Sequence, residues 1–344
     1  PVDVLATGPA AHYRACLDAM MADDNFDCVY VNFVTPFFVD NESIAREIVE
    51  VSNQQIKPIV CNLMTDRRQW TEVVKILQDG GVPCFALPGE AARAMTALVR
   101  YNETRSRETG EVQIFSDVNK AEGTSLLEAA KAAGKSSLSA EEVYKILAAY
   151  HIPVADWRMA ANADEAEKAA AEIGYPVVIK ADAESIVHKS DLGGVAVDLA
   201  DGAAVRAAVE KMQANFSTDD LRFFIQQYLP GGLELIMGAK AEEGLGHAVM
   251  FGLGGIYVEI MKDVVFNLTP VNSGEAKEML SAIKGSALLE GVRGQKGVDQ
   301  GKLIEIIQRL SQLLTDLPAI QEMDLNPLMA FEDKVFVVDA RISV

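Results

Sequence analysis

The chain has 344 residues, a length that predicts two or three folding units rather than one compact domain. Apolar residues make up 49% of it, which is enough to build large cores. Its 31 Lys and Arg residues stand against 50 Asp and Glu residues, so the formal net charge is −19. A surface this negative repels phosphate backbones and anionic lipid, and we therefore expect neither nucleic acid nor a membrane as partner.

The cysteines and the chain start bear on cellular location. The four cysteines lie at irregular spacing within apolar stretches and form no CxxC pair: Cys16, Cys28, Cys61 and Cys84. This usage is typical of buried free thiols in a reducing cytoplasm. We expect no membrane segment and no leader, because no apolar run approaches about 18 residues and the start is polar-mixed. The start at Pro1 indicates a piece of a longer protein.

Residues 1–105 alternate short β-rich runs with amphipathic stretches. Strands are predicted at 2–6, 28–34, 57–64 and 83–87, and helices at 12–23, 42–54, 69–81 and 89–102. This alternation predicts an α/β unit, a doubly wound parallel sheet with helices on both faces. The apolar run 28–34 is typical of a strand buried on both sides. No phosphate-binding glycine pattern follows the first strand, so we interpret this unit as an interface or scaffold domain.

Residues 106–135 are polar and are predicted to be a linker with one helix at 124–133. The second unit, residues 136–344, then opens with a capping box from Ser139 to Glu142, and its first helix ends before Pro153. A second helix is predicted between Asn162 and Gly174. The strand at 175–180 follows.

Lys180 lies at the end of this strand and is the first chemical signal. An ammonium facing a cleft is well placed to meet phosphate oxygens, although a solvated lysine is the commoner explanation for the residue in isolation. Residues 186–195, IVHKSDLGGV, place His188 beside a lysine and two glycines. Imidazole is a nucleophile toward phosphorus near neutral pH, and a neighbouring cation would stabilise the product. A surface hydrogen-bonding histidine is the alternative.

Two further segments carry weaker nucleotide signals. Residues 223–239 read as a strand, a Pro-Gly-Gly turn and another strand, whose edge at Gln226, Gln227 and Leu229 is suited to binding a purine through the backbone. Glu234, beyond the turn, is placed to accept a hydrogen bond from a ribose hydroxyl. Residues 251–263 add Gly254 and Gly255, which a simple turn before a strand explains equally well.

The C-terminal segment, residues 322–342, is the strongest feature. It reads as a β-hairpin that turns at 332–334 and brings Asn326 directly opposite Asp339. Asp324 lies two residues before Asn326 and so on the same face. Carboxylate and amide oxygens of this kind suit Mg²⁺, which bridges nucleotide phosphates. Pro327 argues against this symmetric pairing, because a proline in a strand favours a bulge that would shift the register.

In order and spacing these motifs resemble the ATP-grasp half of NDP-forming acyl-CoA synthetases, of which ADP-forming acetyl-CoA synthetase is the best-known type. The resemblance covers 136–344 and implies ATP-grasp subdomains at 136–225 and 226–344, each α+β. Residues 1–105 resemble the ligase-like flavodoxin domain that precedes them in single-chain members, so this unit is expected to be flavodoxin-like.

The resemblance implies roles for individual residues. Lys180 would hold the phosphates of ATP or ADP, the Gln226 segment the adenine and Glu234 the ribose. Asn326 and Asp339 would coordinate Mg²⁺, as the matching residues do in the related succinyl-CoA synthetase β subunit, with Asp324 an acidic neighbour.

For phosphate transfer the resemblance implies two further residues. His188 matches a histidine that is phosphorylated transiently, and Arg293, in GVRG, would contact phosphate.

The family also needs a CoA-binding domain and a second phosphohistidine domain, and neither motif occurs here. His12, His151 and His247 lack the required context. We therefore expect coenzyme A and the second histidine on a missing N-terminal part or subunit, and a homo-oligomer is left open. The complete acid–thiol ligase reaction, acyl-CoA plus ADP plus phosphate to acid, CoA and ATP, would need that part.

Two other functions remain open at this stage. The same module is fused to acetyltransferases in some proteins, where it senses acyl-CoA or nucleotide without turnover. Intact Lys180, His188, Asn326 and Asp339 favour catalysis instead. Another ATP-grasp carboxylate ligase is disfavoured, because such ligases form acyl phosphates directly and need no histidine like the one in IVHKSD.

Overall fold

The computed structural model describes residues 1–66, 68–106, 110–183, 193–216, 218, 220–255, 262–292, 294 and 296–344. The chain is α/β and divides into two compact units, residues 1–108 and 109–344. Across the residues that the structure describes, no helix combines the length and the apolar character needed to cross a bilayer.

The first unit has a three-stranded parallel sheet in the order β1-β2-β3. Three helices share one apolar core with β1 and β2, and the fourth packs against β2 and β3. The elements are α1 Ala10–Ala22, β1 Val29–Val34, α2 Asn41–Ser52, β2 Ile59–Met64, α3 Thr71–Asp79, β3 Cys84–Phe85 and α4 Pro88–Ser106.

Two predictions for this unit were wrong in detail. Residues 2–6 form no strand. Strand β1 is buried on one face only, because Val29, Val31 and Phe33 enter the core while Tyr30 and Val34 on the opposite face are exposed. The strand buried on both faces is β2, where residues 59–63 are all buried. Its central position, between two strands and under helices on both sides, is the physical reason.

The second unit contains two sheets, the smaller of which has four strands in the order β4-β7-β5-β6. Its pairings are all antiparallel. The elements that precede or build it are α5 Lys120–Ala132, α6 Ala140–Ala149, β4 Trp157–Ala160, α7 Ala163–Ile173, β5 Val177–Asp182, β6 Val195–Leu199, α8 Gly202–Asn215 and β7 Arg222–Gln227. The predicted capping box of Ser139 and Glu142 starts α6, and Asn162 caps α7, as predicted.

The larger sheet has six strands in the order β10-β9-β8-β11-β12, and β13 pairs with β11. Its elements are β8 Leu233–Glu242, β9 Gly246–Leu253, β10 Val264–Leu268, α9 Ser273–Ala282, α10 Ala287–Glu290, α11 Gln300–Asp316, β11 Glu322–Ala330, β12 Val335–Val337 and β13 Ala340–Ser343. Helix α11 supplies much of the core beneath this sheet, including Leu303, Ile307 and Leu310.

The segment predicted to be a linker contains helix α5 and, before it, a short arm at residues 115–117 that is bonded to α11. Leu127 of α5 is buried in the core of the second unit. Before α5, Arg309 of α11 donates two hydrogen bonds of 3.0 Å to the Asp117 carboxylate, and its guanidinium lies 4.0 Å from the Phe115 ring centroid. Gln312 bonds both backbone groups of Phe115. The arm is therefore tied to α11 by charge-assisted and backbone contacts.

Candidate functional site

The C-terminal hairpin breaks its ladder at one place. Strand β12 ends at Val337 and β13 begins at Ala340, and the two intervening residues face Asn326 and Pro327. The Asn326 N–H donates to the Asp339 carbonyl at 3.0 Å, and the Val338 N–H donates to the Pro327 carbonyl at 3.0 Å. The hairpin partners on both sides of the break keep the predicted register, for example Leu328 with Val337. The predicted opposition of Asn326 and Asp339 is confirmed.

Pro327 does disturb a ladder, but on the other edge of β11. The pairing of β11 with β8 shifts by one residue between Leu325 and Leu328. The pairing of β11 with β12 and β13 carries no such shift. Proline has no backbone N–H, so a bulge at this position loses fewer ladder bonds than one elsewhere.

Lys180 of β5 crosses from the small sheet to this break in the larger sheet. Its Nζ donates to the Val338 carbonyl at 2.9 Å and lies 3.2 Å from Asp339 Oδ1. The Lys180 side chain is 15% exposed and that of Asp339 is 43% exposed. An ammonium and a carboxylate therefore meet at the junction of the two sheets, with the carboxylate open to solvent.

Two buried side chains support the same carbonyl. Tyr144 of α6 donates its hydroxyl to the Val338 carbonyl at 2.7 Å. Gln226 of β7 donates from Nε2 to that carbonyl at 3.0 Å and to the Tyr144 hydroxyl at 2.9 Å. Burial, and secondarily the charge of Asp339, raises the pKa of Tyr144, so the hydroxyl stays protonated and able to donate.

Sequence reasoning missed Tyr144 because it occupies a core position of an amphipathic helix. The available signal was chemical rather than periodic. A tyrosine on the buried face of a helix must find a partner for its hydroxyl, and here that partner is the hairpin break.

The connection from β7 to β8, residues 228–232, joins the two sheets. The Gln227 N–H bonds the Asp156 carbonyl at 2.8 Å, and the Tyr228 N–H bonds the Pro176 carbonyl at 3.1 Å. Leu229 comes next and is half-buried. Its backbone groups form no hydrogen bond with the part of the chain that the structure describes. Of the predicted purine-binding backbone, Leu229 thus has a donor and an acceptor that no described residue engages.

Glu234 lies beside the glycine pair, Gly254 and Gly255. Glu234 is exposed at the start of β8, and its carbonyl accepts from the Gly254 N–H at 2.8 Å. A Cβ on Gly255 would lie 2.4 Å from Glu234 Oε2, and Gly255 has a φ of +58°. Glycine is favoured at this turn, because an added Cβ would displace the Glu234 carboxylate and the left-handed backbone strains other residues.

Three oxygen-bearing side chains line the hairpin face: Asp324, Asn326 and Asp339. All are half-buried. Burial raises the pKa of Asp324, with Arg341 opposing that effect and the charges of Asp339 and Glu322 adding to it. Neither Asp339 Oδ2 nor the side-chain amide of Asn326 forms a hydrogen bond with any described side chain or backbone group. Within the described ranges no cluster of three or more His, Cys, Asp or Glu is placed to hold a metal. The donor set here is two carboxylates and an amide, hard oxygens that suit Mg²⁺.

The remaining predicted site residues, His188 and Arg293, lie outside the described residues. The structure brings together Lys180, Asp339 and the hairpin break. It places the pair of Glu234 and Gly255 at the start of β8 and the turn after β9.

Comparison with known proteins agrees with this architecture. A family model described as ATP-grasp domain matches residues 129–344. The chain is 40% identical over 227 residues to the acetate–CoA ligase [ADP-forming] I subunit beta of Pyrococcus furiosus, covering 64% of this chain and 97% of that subunit. The chain belongs to the ADP-forming acyl-CoA ligase family.

Other members resemble the chain over different lengths. The 4-hydroxybutyrate–CoA ligase [ADP-forming] of Nitrosopumilus maritimus is 37% identical over 338 residues, which cover 96% of this chain and 48% of that ligase. The chain thus spans about half the length of the single-chain curated relatives of this ligase family that it matches.

Solved structures of the family also match. Acetyl-coenzyme A synthetase 1 of Candidatus Korarchaeum cryptofilum, in complex with coenzyme A, Ca-AMPCP and HgCl⁺, superposes with a TM-score of 0.61 at 37% identity. That match covers 64% of this chain and 99% of the other. The same protein with coenzyme A and Mg-AMPPCP has a TM-score of 0.59 at 38% identity, and its phosphohistidine segment points towards the nucleotide-binding site.

Proposed function

We propose that the second unit binds ATP or ADP with Mg²⁺ and transfers phosphate through His188, as the ATP-grasp part of an ADP-forming acyl-CoA ligase. The observation that carries the proposal is the convergence of Lys180 with Asp339 and the Val338 carbonyl at the junction of two sheets. A cation and a solvent-open carboxylate at one point are the charges that a metal-bound polyphosphate needs.

The nucleotide would lie along this junction. Lys180 would donate to phosphate oxygens, shared with the Asp339 carboxylate that it already contacts. Leu229 would offer its backbone N–H and C=O to the base, and Glu234 would accept a hydrogen bond from a ribose hydroxyl. The Glu234 carboxylate lies beside the turn at Gly254 and Gly255, and the absence of a side chain on Gly255 leaves room for it there.

Asp339, Asn326 and Asp324 would hold the metal ion. Asn326 and Asp339 are opposed in the register of the hairpin, and their side-chain oxygens fit a hard divalent cation. When bound, Mg²⁺ would neutralise charge that develops on the phosphates.

His188 would be the phosphate acceptor. One imidazole nitrogen would form a bond to the γ-phosphorus while the bond from that phosphorus to the bridging oxygen breaks, and ADP would leave. Arg293 would contact the transferred phosphate. The Korarchaeum synthetase supports a histidine as phosphate carrier in this family, because its phosphohistidine segment points towards the nucleotide-binding site.

The complete reaction would convert acyl-CoA, ADP and phosphate to a carboxylic acid, CoA and ATP. Coenzyme A and the second phosphohistidine would then belong to a part absent from this chain. The Pyrococcus β subunit, nearly all of which this chain covers, supports an ATP-grasp part that functions beside a separate subunit.

The test is phosphorylation of the chain by γ-labelled ATP with Mg²⁺. We expect label that is labile in acid and stable in base, as a phosphohistidine is. His188→Ala should abolish the label. His12→Ala is the matched control, because His12 is an exposed surface residue of α1 in the other unit and its loss should leave the label unchanged.

Two outcomes would contradict the proposal. Label that persists in His188→Ala would place the acceptor elsewhere. Nucleotide binding without any acid-labile label would favour a module that senses nucleotide without turnover.

A further inference from the structure

The Val338 carbonyl oxygen accepts three hydrogen bonds from three different elements. Its donors are the Tyr144 hydroxyl at 2.7 Å, Lys180 Nζ at 2.9 Å and Gln226 Nε2 at 3.0 Å. A carbonyl oxygen has two lone pairs, so three donors exceed the usual number. All three donors come from the small sheet or from helix α6, and the acceptor lies in the break between β12 and β13 of the larger sheet.

Two of these donors are buried away from solvent. Tyr144 is 1% exposed and Gln226 is fully buried. The Tyr144 ring packs edge-on against Trp157 and Phe224, with centroids 5.7 Å and 4.9 Å away. The ring packing sets the position of the hydroxyl, and the Gln226 amide is held between that hydroxyl and the carbonyl.

Holding this carbonyl also orients the residue that follows it. The peptide group is planar, so the Val338 oxygen, the Asp339 nitrogen and the Asp339 Cα move as one rigid unit. On its other side, the Asp339 carbonyl accepts from the Asn326 N–H at 3.0 Å. Both peptide groups that flank Asp339 are therefore tied, and only its side-chain torsions stay free.

We propose that Tyr144 and Gln226 are positioning residues for the magnesium–nucleotide site, acting through the Val338 carbonyl on Asp339. The inference rests on the proposed function in one respect, the role of Asp339 as a metal ligand. Neither residue contacts the metal or the nucleotide. Both hold the Asp339 backbone where its carboxylate can serve Lys180 and the cation together.

The Gln226 amide separates this role from a purely structural one. Its Oε1 is buried and accepts no hydrogen bond from any described residue. Gln226→Met removes that unpaired acceptor along with the Nε2 donor at similar volume. A buried acceptor without a partner costs free energy, so its removal offsets the lost donor. The variant should unfold at nearly the same denaturant concentration as the wild type, yet bind Mg²⁺ more weakly.

The experiment titrates Mg²⁺ into the full chain at fixed ADP by calorimetry. We expect Tyr144→Phe and Gln226→Met each to raise the Mg²⁺ concentration for half-saturation about three- to tenfold, the equivalent of one net hydrogen bond. Metal-free ADP binding should not change in Tyr144→Phe, because Tyr144 lies outside the segment predicted to hold the base. Tyr150→Phe is the matched control, because Tyr150 is also buried and its hydroxyl contacts Asp316 at 3.3 Å, away from the hairpin break.

A second readout needs no metal or nucleotide. Amide hydrogen exchange across residues 335–340 should become several-fold faster in Tyr144→Phe and Gln226→Met, and should not change in Tyr150→Phe. If the inference is wrong, Tyr144→Phe and Gln226→Met will show the same amide exchange rates and the same half-saturating Mg²⁺ concentration as Tyr150→Phe. A wild-type chain whose ADP binding does not depend on Mg²⁺ would overturn the metal assignment of the proposed function. The exchange result would still show whether these residues position the Asp339 segment.

Discussion

Replacing Lys180 with Met tests whether the ammonium serves the nucleotide rather than the fold. Among the described residues, its Nζ donates hydrogen bonds to the Val338 carbonyl and to the Asp339 carboxylate, with which it also forms an ion pair. After Lys180→Met the Val338 carbonyl keeps its bonds from Tyr144 and Gln226, so this acceptor still has partners. The Asp339 carboxylate is 43% exposed and stays hydrated.

These contacts give the expected magnitudes. The free energy of unfolding should fall by about 1–2 kcal/mol, the net value of a charge-assisted bond whose partners remain satisfied. Loss of a charged donor to phosphate should weaken nucleotide binding by about 1.5–3 kcal/mol, or roughly 10- to 150-fold. The loss in binding should therefore equal or exceed the loss in stability.

The assay pairs urea unfolding with calorimetric titration of ADP in Mg²⁺. Lys135→Met is the matched control, because Lys135 Nζ lies 2.8 Å from Glu142 Oε1 and both side chains are partly buried. It should lose a comparable stability and no nucleotide affinity. ADP binding within about twofold of wild type in Lys180→Met would refute the role of this ammonium at the phosphates.

Two further predictions concern the turn at Gly255 and the arm at residues 115–117. Gly255→Ala and the control Gly244→Ala both place alanine at positive φ, so each should lower the free energy of unfolding by about 1 kcal/mol. Of the two, only Gly255→Ala displaces the Glu234 carboxylate, and it should therefore also weaken ADP binding measured by calorimetry. An equal effect of both variants on binding would exclude Glu234 from the nucleotide site. Hydrogen bonds from Arg309 hold the pKa of Asp117 below its ordinary value. The Asp117 carboxylate therefore contributes its full stabilisation above its unfolded-state pKa of about 3.9, and this stabilisation is lost as the pH falls through the lower folded-state pKa. In urea unfolding, the difference in free energy of unfolding between wild type and Asp117→Asn should be constant from pH 6 to about pH 4 and should shrink between about pH 4 and pH 3. A difference that stays constant down to pH 3 would contradict this reasoning.

Local signals in the sequence predicted much of the second unit correctly. The capping box at Ser139, the cap at Asn162 and the end of its helix at Gly174 each rest on contacts within four residues. The register of the C-terminal hairpin followed from the position of its turn, because strand pairing about a turn is set by its length. Local geometry suffices for such elements.

Burial and side-chain partners were harder to predict. The apolar run of β1 reads like a strand covered on both faces, yet Tyr30 and Val34 are exposed. Apolar composition alone does not reveal which strand will lie at the centre of a sheet. The prediction for Gln226 concerned its backbone, and nothing in the sequence indicated that its side chain bonds Tyr144 and the Val338 carbonyl within the protein.

The parts of the candidate site could be recognised from the residues alone: a lysine at the end of a strand, a histidine in a glycine-containing segment, and a hairpin that opposes Asn326 and Asp339. The contact between two of these parts could not, because Lys180 lies 158 residues from Val338 along the chain and donates to its carbonyl from another sheet. Hydrogen bonds act over about 3 Å in space and carry no trace in sequence spacing, so a contact between two sheets becomes visible only when both are packed.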